Sequence, residues 1–258
     1  MKIIDFYNFK KGNKISMITC YDYPTARILS KTDIDCLLVG DSLSMVVYGY
    51  DSTIYASVDV MAEHTKAVKK GIGNSKMIIT DMPFLSTRKG MNYAIEVAEK
   101  IIKAGADAIK IENIEDQRDI ISHIIKSGIP VMGHLGLTPQ YIKSLGSYSK
   151  RGREIKESKK IIDDAIKFQE AGAFSIVLEC IDEKTAGRIT KKLKIPTIGI
   201  GSGNRTDGQV VVINDILGLY DNVPPFIKKY EELDIKIINA VNKYIKGVKS
   251  YENDKQYK

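Results

Sequence analysis

The sequence predicts an α/β fold, a (β/α)8 TIM barrel in a single domain spanning 1–258, with a C-terminal helix. Three observations carry this. Eight short apolar runs of strand character alternate with stretches of helical period, at about 15–21, 36–40, 76–80, 108–111, 129–133, 175–178, 196–200 and 209–213. A βαβα series of this kind gives parallel strands joined by right-handed crossovers. The length of 258 residues suits an eight-stranded barrel, and 43% hydrophobic with 28% charged residues is a globular balance. No Pro-, Ser- or Gly-rich linker divides the chain. A doubly wound open sheet is the competing architecture.

The opening Met1-Lys2-Ile3-Ile4-Asp5-Phe6 lacks the apolar core and cleavage site of a signal peptide, so a cytoplasmic protein is expected. The first run closes on Asp22, the second on Gly40-Asp41-Ser42, and the third on Asp81 before Met82-Pro83. Met91, Ala94, Ile95, Ala98, Ile101 and Ile102 then share a helical face, stopped by Gly105. The fourth run, Ala108-Ile109-Lys110-Ile111, closes on Glu112, and the fifth leads into Gly133-His134-Leu135-Gly136. Ile161, Ile162, Ala165, Ile166 and Phe168 form a second helical face. The sixth run closes on Glu179. A Gly-rich loop, Gly199-Ile200-Gly201-Ser202-Gly203-Asn204, follows the seventh and is expected to shape a ligand site. Ile235, Ile238, Val241 and Ile245 predict a last helix packed on the barrel or on a neighbouring subunit. A polar tail of about 250–258 is expected to fray.

Composition narrows the function classes. No run of eighteen apolar residues occurs, so no transmembrane helix is expected. The net charge of +7 comes from lysines spread along helices with acidic residues between them, and tryptophan is absent. This reads as a solvated surface, with no nucleic-acid or membrane partner. Cys20, Cys36 and Cys180 lie in or beside apolar runs, at spacings that match no zinc motif, and read as buried small hydrophobes.

The chemistry lies in the acidic residues that close the runs. In a parallel barrel all strand C-termini face one mouth, so Asp22, Asp41, Asp81, Glu112 and Glu179 would gather there. Such a ring of hard oxygen donors suits a divalent ion such as Mg2+. Asp22 fits a helix cap better, since a helical stretch follows at once. Alternation along Ile109-Lys110-Ile111-Glu112 turns Lys110 and Glu112 together into the barrel, where they must be paired or used. A structural ion pair is the competing reading. His134 between two glycines reads as a ligand contact or as a hydrogen-bonded core residue. His64 and His123 read as surface or packing residues. The loop Gly146-Ser147-Tyr148-Ser149-Lys150-Arg151-Gly152-Arg153 reads as a basic, mobile cover.

Taken in order, Met17-Ile18-Thr19-Cys20-Tyr21-Asp22, Leu38-Val39-Gly40-Asp41-Ser42-Leu43, Asp81-Met82-Pro83-Phe84, Lys110-Ile111-Glu112, Gly133 to Gln140, Val177-Leu178-Glu179-Cys180 and Ile198 to Gln209 resemble the ketopantoate hydroxymethyltransferase family. The resemblance runs from about residue 15 to 230. It implies a barrel of the phosphoenolpyruvate/pyruvate-binding superfamily. It implies transfer of a hydroxymethyl group from 5,10-methylenetetrahydrofolate to 3-methyl-2-oxobutanoate, giving 2-dehydropantoate on the way to pantothenate and coenzyme A. It further implies one Mg2+ per subunit on Asp41, Asp81 and Glu112. Substrate contacts at Asp41, Ser42, Asp81, Lys110 and His134, and proton transfer by Glu179, are also implied. Family members are large homo-oligomers, typically decamers. Tyr50 stands where many members have histidine. A Mg2+-dependent 2-oxo acid lyase or mutase of the same superfamily is the alternative, although the Lys-Lys-Cys-Gly-His loop typical of those enzymes is absent. A non-catalytic binding protein is a further rival.

Overall fold

The computed structural model describes residues 2–10, 12–147, 149–220 and 223–250, in two compact units, Met1–Val210 and Val211–Lys258. The chain runs α1 (Ile3–Phe9), β1 (Ile15–Thr19), α2 (Tyr23–Leu29), β2 (Cys36–Val39), α3 (Leu43–Val46), α4 (Val58–Ile72), β3 (Met77–Asp81) and α5 (Met91–Lys103). It continues through β4 (Ala108–Glu112), α6 (Arg118–Lys126), β5 (Val131–Gly136), α7 (Ile142–Leu145), α8 (Ile155–Ala171), β6 (Ser175–Glu179), α9 (Glu183–Lys192), β7 (Thr197–Ile200) and β8 (Gly208–Val211). The strands pair in chain order into a closed, parallel barrel. At the closure the Ile15 N–H donates to the Asp207 carbonyl at 3.0 Å. The open-sheet alternative is thereby excluded.

Strand side chains alternate between two apolar layers. Inside the barrel, Ile15, Met17, Cys36, Leu38, Met77, Ile79, Met132, Val177 and Ile198 pack together. Phe6 of α1, a helix that the alternation of runs does not predict, joins this layer edge-on against Phe174, with ring centroids 5.1 Å apart. Outside, Ile109, Ile111, Val131, Leu135, Ile176 and Leu178 meet Ala94, Ala98 and Ile101 of α5 and Ile161, Ala165 and Phe168 of α8. Each large apolar side chain so buried contributes about 1.5–3 kcal/mol. The same parity that puts Met77, Ile79 and Met132 inside also turns Asp81, Lys110, Glu112, His134 and Glu179 inward, nearer the C-terminal strand ends.

One expectation changes. The fifth strand extends to Gly136 instead of ending near residue 133, so His134 sits within a strand. Its flanking glycines answer to packing. A Cβ on Gly133 would lie 2.8 Å from the Phe168 ring, and one on Gly136, where φ is +101°, would lie 2.2 Å from the Glu179 carbonyl oxygen. Asp22 is the expected helix cap: it caps α2, accepting from the Thr25 N–H at 2.8 Å and from the Thr25 hydroxyl at 2.9 Å. Asp22→Ala is therefore expected to cost about 1 kcal/mol, read in a thermal melt, and to leave divalent-ion affinity unchanged.

In the second unit, α10 (Ile213–Leu217) and α11 (Leu233–Lys249) are joined by backbone bonds from Tyr230 and Glu231 to the Ile216 carbonyl. The predicted last helix is present, but its apolar side chains stay open: Ile238 is 57% exposed and Val241 50%. Beyond Ser250 the expected polar tail lies outside the described residues.

Candidate active site

The strand ends bring most of the expected residues into one buried polar cluster. Lys110 lies at its centre. Its Nζ is 3.1 Å from Asp81 Oδ1, 4.0 Å from Glu112 Oε1 and 3.1 Å from His134 Nδ1. Strand register makes these neighbours, since Asp81 pairs with Lys110 and Glu112 with His134. Asp41 follows the last residue pair of β2 with β3, Val39 with Thr80. It joins the cluster through its backbone, whose N–H donates to Asp81 Oδ2 at 3.0 Å. His134 then connects to Glu179: Nε2 is 3.3 Å from Glu179 Oε2, while Nδ1 is 3.3 Å from Glu112 Oε1. The 3.3 Å approach to Glu179 is close but not a formed hydrogen bond. Glu179 keeps 19% of its side chain exposed, whereas His134 and Glu112 are almost fully enclosed.

Two residues outside the expected set organise the cluster. Gln140 donates from its backbone N–H to Glu112 Oε2 at 3.1 Å. Its side-chain amide donates to Asp41 Oδ2 at 2.7 Å and to the Met82 carbonyl at 2.9 Å. The Tyr21 hydroxyl is hydrogen-bonded to the Ser42 hydroxyl at 2.9 Å. Ser42 therefore adjoins Asp41 in the chain but is tied to β1's continuation. Both residues lie inside the phrases that carry the resemblance, which is the available signal. A glutamine and a tyrosine have no chemical signature in sequence that separates this use from ordinary packing.

The turns after the strands aim the glutamates. Asn113 and Cys180, which follow Glu112 and Glu179, have φ of +63° and +48°. Neither is glycine, so each holds a conformation that costs L residues roughly 1–2 kcal/mol. Neighbours hold both in place. The Asn113 side chain accepts from the Ile114 and Glu115 N–H groups at 2.7 and 3.0 Å. The Cys180 N–H donates to the Ile200 carbonyl at 2.8 Å, and its carbonyl accepts from Arg151 N–H at 2.7 Å. Backbone strain held at strand ends in this way is characteristic of functional sites.

Electrostatics follow from the crowding. Burial raises the Asp41 pKa well above the carboxylate range, and the charges of Asp81 and Glu112 raise it further, against Lys110 and Gln140. For Glu112, burial acts upward, but His134, Lys110 and the Gln140 N–H outweigh it, and the net shift is downward. Burial would depress Lys110, yet Asp81, Glu112 and Asp41 more than reverse this and hold it charged. His134 is pushed down by burial and by Lys110, and up by Glu112 and Glu179, with an upward net. Its Nε2 carries a proton in either arrangement. With the ring neutral, Nδ1 accepts from Lys110; with the ring charged, Nδ1–H faces Glu112. Each leaves Nε2–H towards Glu179.

Among the described residues, no three His, Cys, Asp or Glu side chains already stand grouped to hold a metal ion. The donor set nevertheless suits a hard divalent cation. Asp41, Asp81 and Glu112 are all buried around one ammonium, which leaves excess negative charge. Asp81 Oδ1 is buried without a hydrogen bond and is compensated by the Lys110 ion pair.

The other expected features lie outside this cluster's hydrogen-bond network. The Gly199–Asn204 loop is tied to β6 and the turn after it: the Ser202 hydroxyl donates to the Leu178 carbonyl at 2.7 Å and accepts from Ile181 N–H at 2.9 Å. In the basic loop Arg151 pairs with Glu157 at 2.7 Å and bridges to Ile181; Tyr148 lies outside the described residues. His64 is hydrogen-bonded to the Tyr21 carbonyl and to the Tyr48 hydroxyl, as a packing residue would be. Tyr50 stacks on Tyr55 with centroids 4.8 Å apart. All three cysteines are buried and free, and burial pushes Cys20 up to about 12 and Cys180 up to about 11, so these thiols are inert.

Comparison with known proteins bears on the fold and the family. Solved structures with the same fold include a putative phosphonomutase from Burkholderia cenocepacia (TM-score 0.67, 12% identity, covering 94% of this chain and 99% of that one). Phosphonopyruvate hydrolase in complex with oxalate and Mg2+ is another (TM-score 0.63, 11% identity, covering 100% and 90%). At such identities the likeness speaks for the fold alone. Sequence relatives are far closer. The 3-methyl-2-oxobutanoate hydroxymethyltransferase of Bdellovibrio bacteriovorus is 50% identical over 244 residues, 94% of this chain and 92% of that protein. The protein of the same name from Legionella pneumophila (strain Lens) is 45% identical over 251 residues, 96% and 95% of the two chains. The family model described as ketopantoate hydroxymethyltransferase matches residues 1–254. With a barrel, an inward polar cluster and relatives of this closeness, the chain belongs to the ketopantoate hydroxymethyltransferase family.

Proposed function

We propose that this protein transfers a hydroxymethyl group from 5,10-methylenetetrahydrofolate to 3-methyl-2-oxobutanoate, giving 2-dehydropantoate in pantothenate and coenzyme A biosynthesis. The observation that carries the mechanism is the Glu179–His134 contact beside the Lys110–carboxylate cluster. Glu179 is the residue that takes the C3 proton of the 2-oxo acid, since it is a partly exposed carboxylate at the barrel mouth. His134 Nε2 lies 3.3 Å from that carboxylate, placed to hold it once the two close to a hydrogen bond. Lys110, held charged by its neighbours, pairs with the substrate carboxylate, and Ser42 offers a hydroxyl beside it. Asp41, Asp81 and Glu112 are the residues that would hold one Mg2+. When bound, the ion supplies Lewis-acid polarisation of the keto and carboxylate oxygens of a 2-oxo acid. Glu179 takes the C3 proton, and the C–H electron pair, held as the enolate, forms the new bond to the methylene carbon. That carbon is bonded to two donor nitrogens: both C–N bonds break with their pairs going to nitrogen, water supplies the hydroxyl, and the C3 proton and the remaining water proton end on the two nitrogens as tetrahydrofolate leaves.

Gln140 is read as the brace that fixes two of these carboxylates. Gln140→Leu is therefore expected to weaken Mg2+ binding by about 10–100-fold in calorimetry while the protein stays folded.

The family match, continuous across both compact units, supports reading 1–258 as one catalytic domain. Exposed apolar side chains along α11 support self-association, and a homo-oligomer of decameric size is the family's form. No described helix is long and apolar enough to cross a membrane, and a cytoplasmic location fits a biosynthetic enzyme. The lyase or mutase alternative has only fold likeness behind it.

The test is exchange of the C3 proton of 3-methyl-2-oxobutanoate in D2O, followed by NMR, with Mg2+ and then with chelator. Mg2+-dependent exchange, quickened or left unchanged by tetrahydrofolate, supports the reading. Silence under all conditions sinks it.

A further inference from the structure

We propose that the cleft between the β3–α5 and β5–α7 connections seats the flat pterin ring of the one-carbon donor. This rests on the function proposed above and adds to it the place where the second substrate binds. The cleft has a volume of about 280 Å³, and its lining includes Phe84, Leu85, Arg88 and Tyr141 together with Glu112 and Gln140. The last two belong to the polar cluster, so a molecule in the cleft touches the reaction centre directly.

Three features point to a planar heteroaromatic ring. First, Phe84 and Leu85 are 37% and 42% exposed, apolar side chains held at the rim of a polar site. Leu85 has a φ of +61°, a strained conformation for leucine. Strain of this kind gathers at ligand clamps, and a flat ring lying against the leucine would repay it. Second, Arg88 is held as a fixed donor. Its Nε and Nη2 reach the Tyr141 hydroxyl at 3.3 and 3.1 Å, and Nη2 donates to the Glu115 carbonyl at 2.7 Å. A guanidinium fixed in this way, with a phenol beside it, matches the carbonyl and ring-nitrogen edge of a pterin. Third, size selects the occupant. Pockets of about 300–1,000 Å³ enclose whole drug-sized ligands, so this one has room for a bicyclic ring while the remainder of a folate extends outside. The small 2-oxo acid has its own partners deeper in the barrel, at Lys110 and the carboxylates.

The test uses the full-length protein and tetrahydrofolate as the probe. Its Kd is measured by calorimetry in wild type, Phe84→Ala, Arg88→Ala and, as a control on the outer flank of the barrel, Arg188→Ala. Both cleft variants are at exposed positions and are expected to fold. Each should raise the Kd, and the KM for the methylene donor, by about tenfold, as loss of one aromatic or charged contact does. The KM for the 2-oxo acid should stay within about twofold, and Arg188→Ala should match wild type. If both cleft variants bind tetrahydrofolate like wild type while wild-type C3 exchange is intact, the ring binds elsewhere and only this proposal falls. An equal rise in both KM values also overturns it, because the cleft then serves the whole site structurally. Wild-type protein with neither exchange nor tetrahydrofolate binding removes the proposed function and this inference together.

Discussion

Glu179→Gln is expected to slow C3 exchange of 3-methyl-2-oxobutanoate by about 10²–10⁴-fold, the range for loss of a positioned general base. The substitution keeps the shape of the side chain and removes its basicity. The amide can still sit 3.3 Å from His134 Nε2, so the barrel and the Lys110 cluster should be undisturbed. Metal affinity and thermal stability are therefore expected to match wild type, which separates a missing base from a damaged site. Exchange within about threefold of wild type would remove Glu179 from the reaction. The phrase Val177-Leu178-Glu179-Cys180 would then matter for its strained turn alone.

Asp81→Ala is expected to give the largest combined loss. Asp81 holds Lys110 through Oδ1 at 3.1 Å and the Asp41 backbone through Oδ2 at 3.0 Å. Removing it leaves a buried ammonium with Glu112 no nearer than 4.0 Å. Breaking a buried ion pair from one side costs about 3–5 kcal/mol. In a chain of this length that is a fall of roughly 10 °C in Tm. As a proposed metal ligand its loss should also abolish Mg2+-dependent exchange. Asp81→Asn separates the two effects: it keeps the bond to the Asp41 N–H and recovers part of the stability, but not the exchange. An Asp81→Asn protein that still exchanged the proton in a Mg2+-dependent way would show that the ion is held without Asp81.

The sequence by itself determined the strand count, the parallel order and the shared face of Lys110 and Glu112. Apolar runs separated by helical faces call for parallel strands with right-handed crossovers, and alternation along Ile109-Lys110-Ile111-Glu112 puts that pair on one face. The closure into a barrel, against an open sheet, and the inward facing of Asp81, His134 and Glu179 came with the tertiary structure. Tertiary structure decided what parity does not reach. Gly133 and Gly136 have the form of a ligand-facing loop, and only the nearness of Phe168 and the Glu179 carbonyl reveals packing. Gln140 and Tyr21 gain their roles from partners 99 and 21 residues away. The reason is one of range: a strand's faces are fixed by its own backbone geometry, whereas a polar side chain's role depends on which distant groups the closed barrel brings within about 3 Å of it.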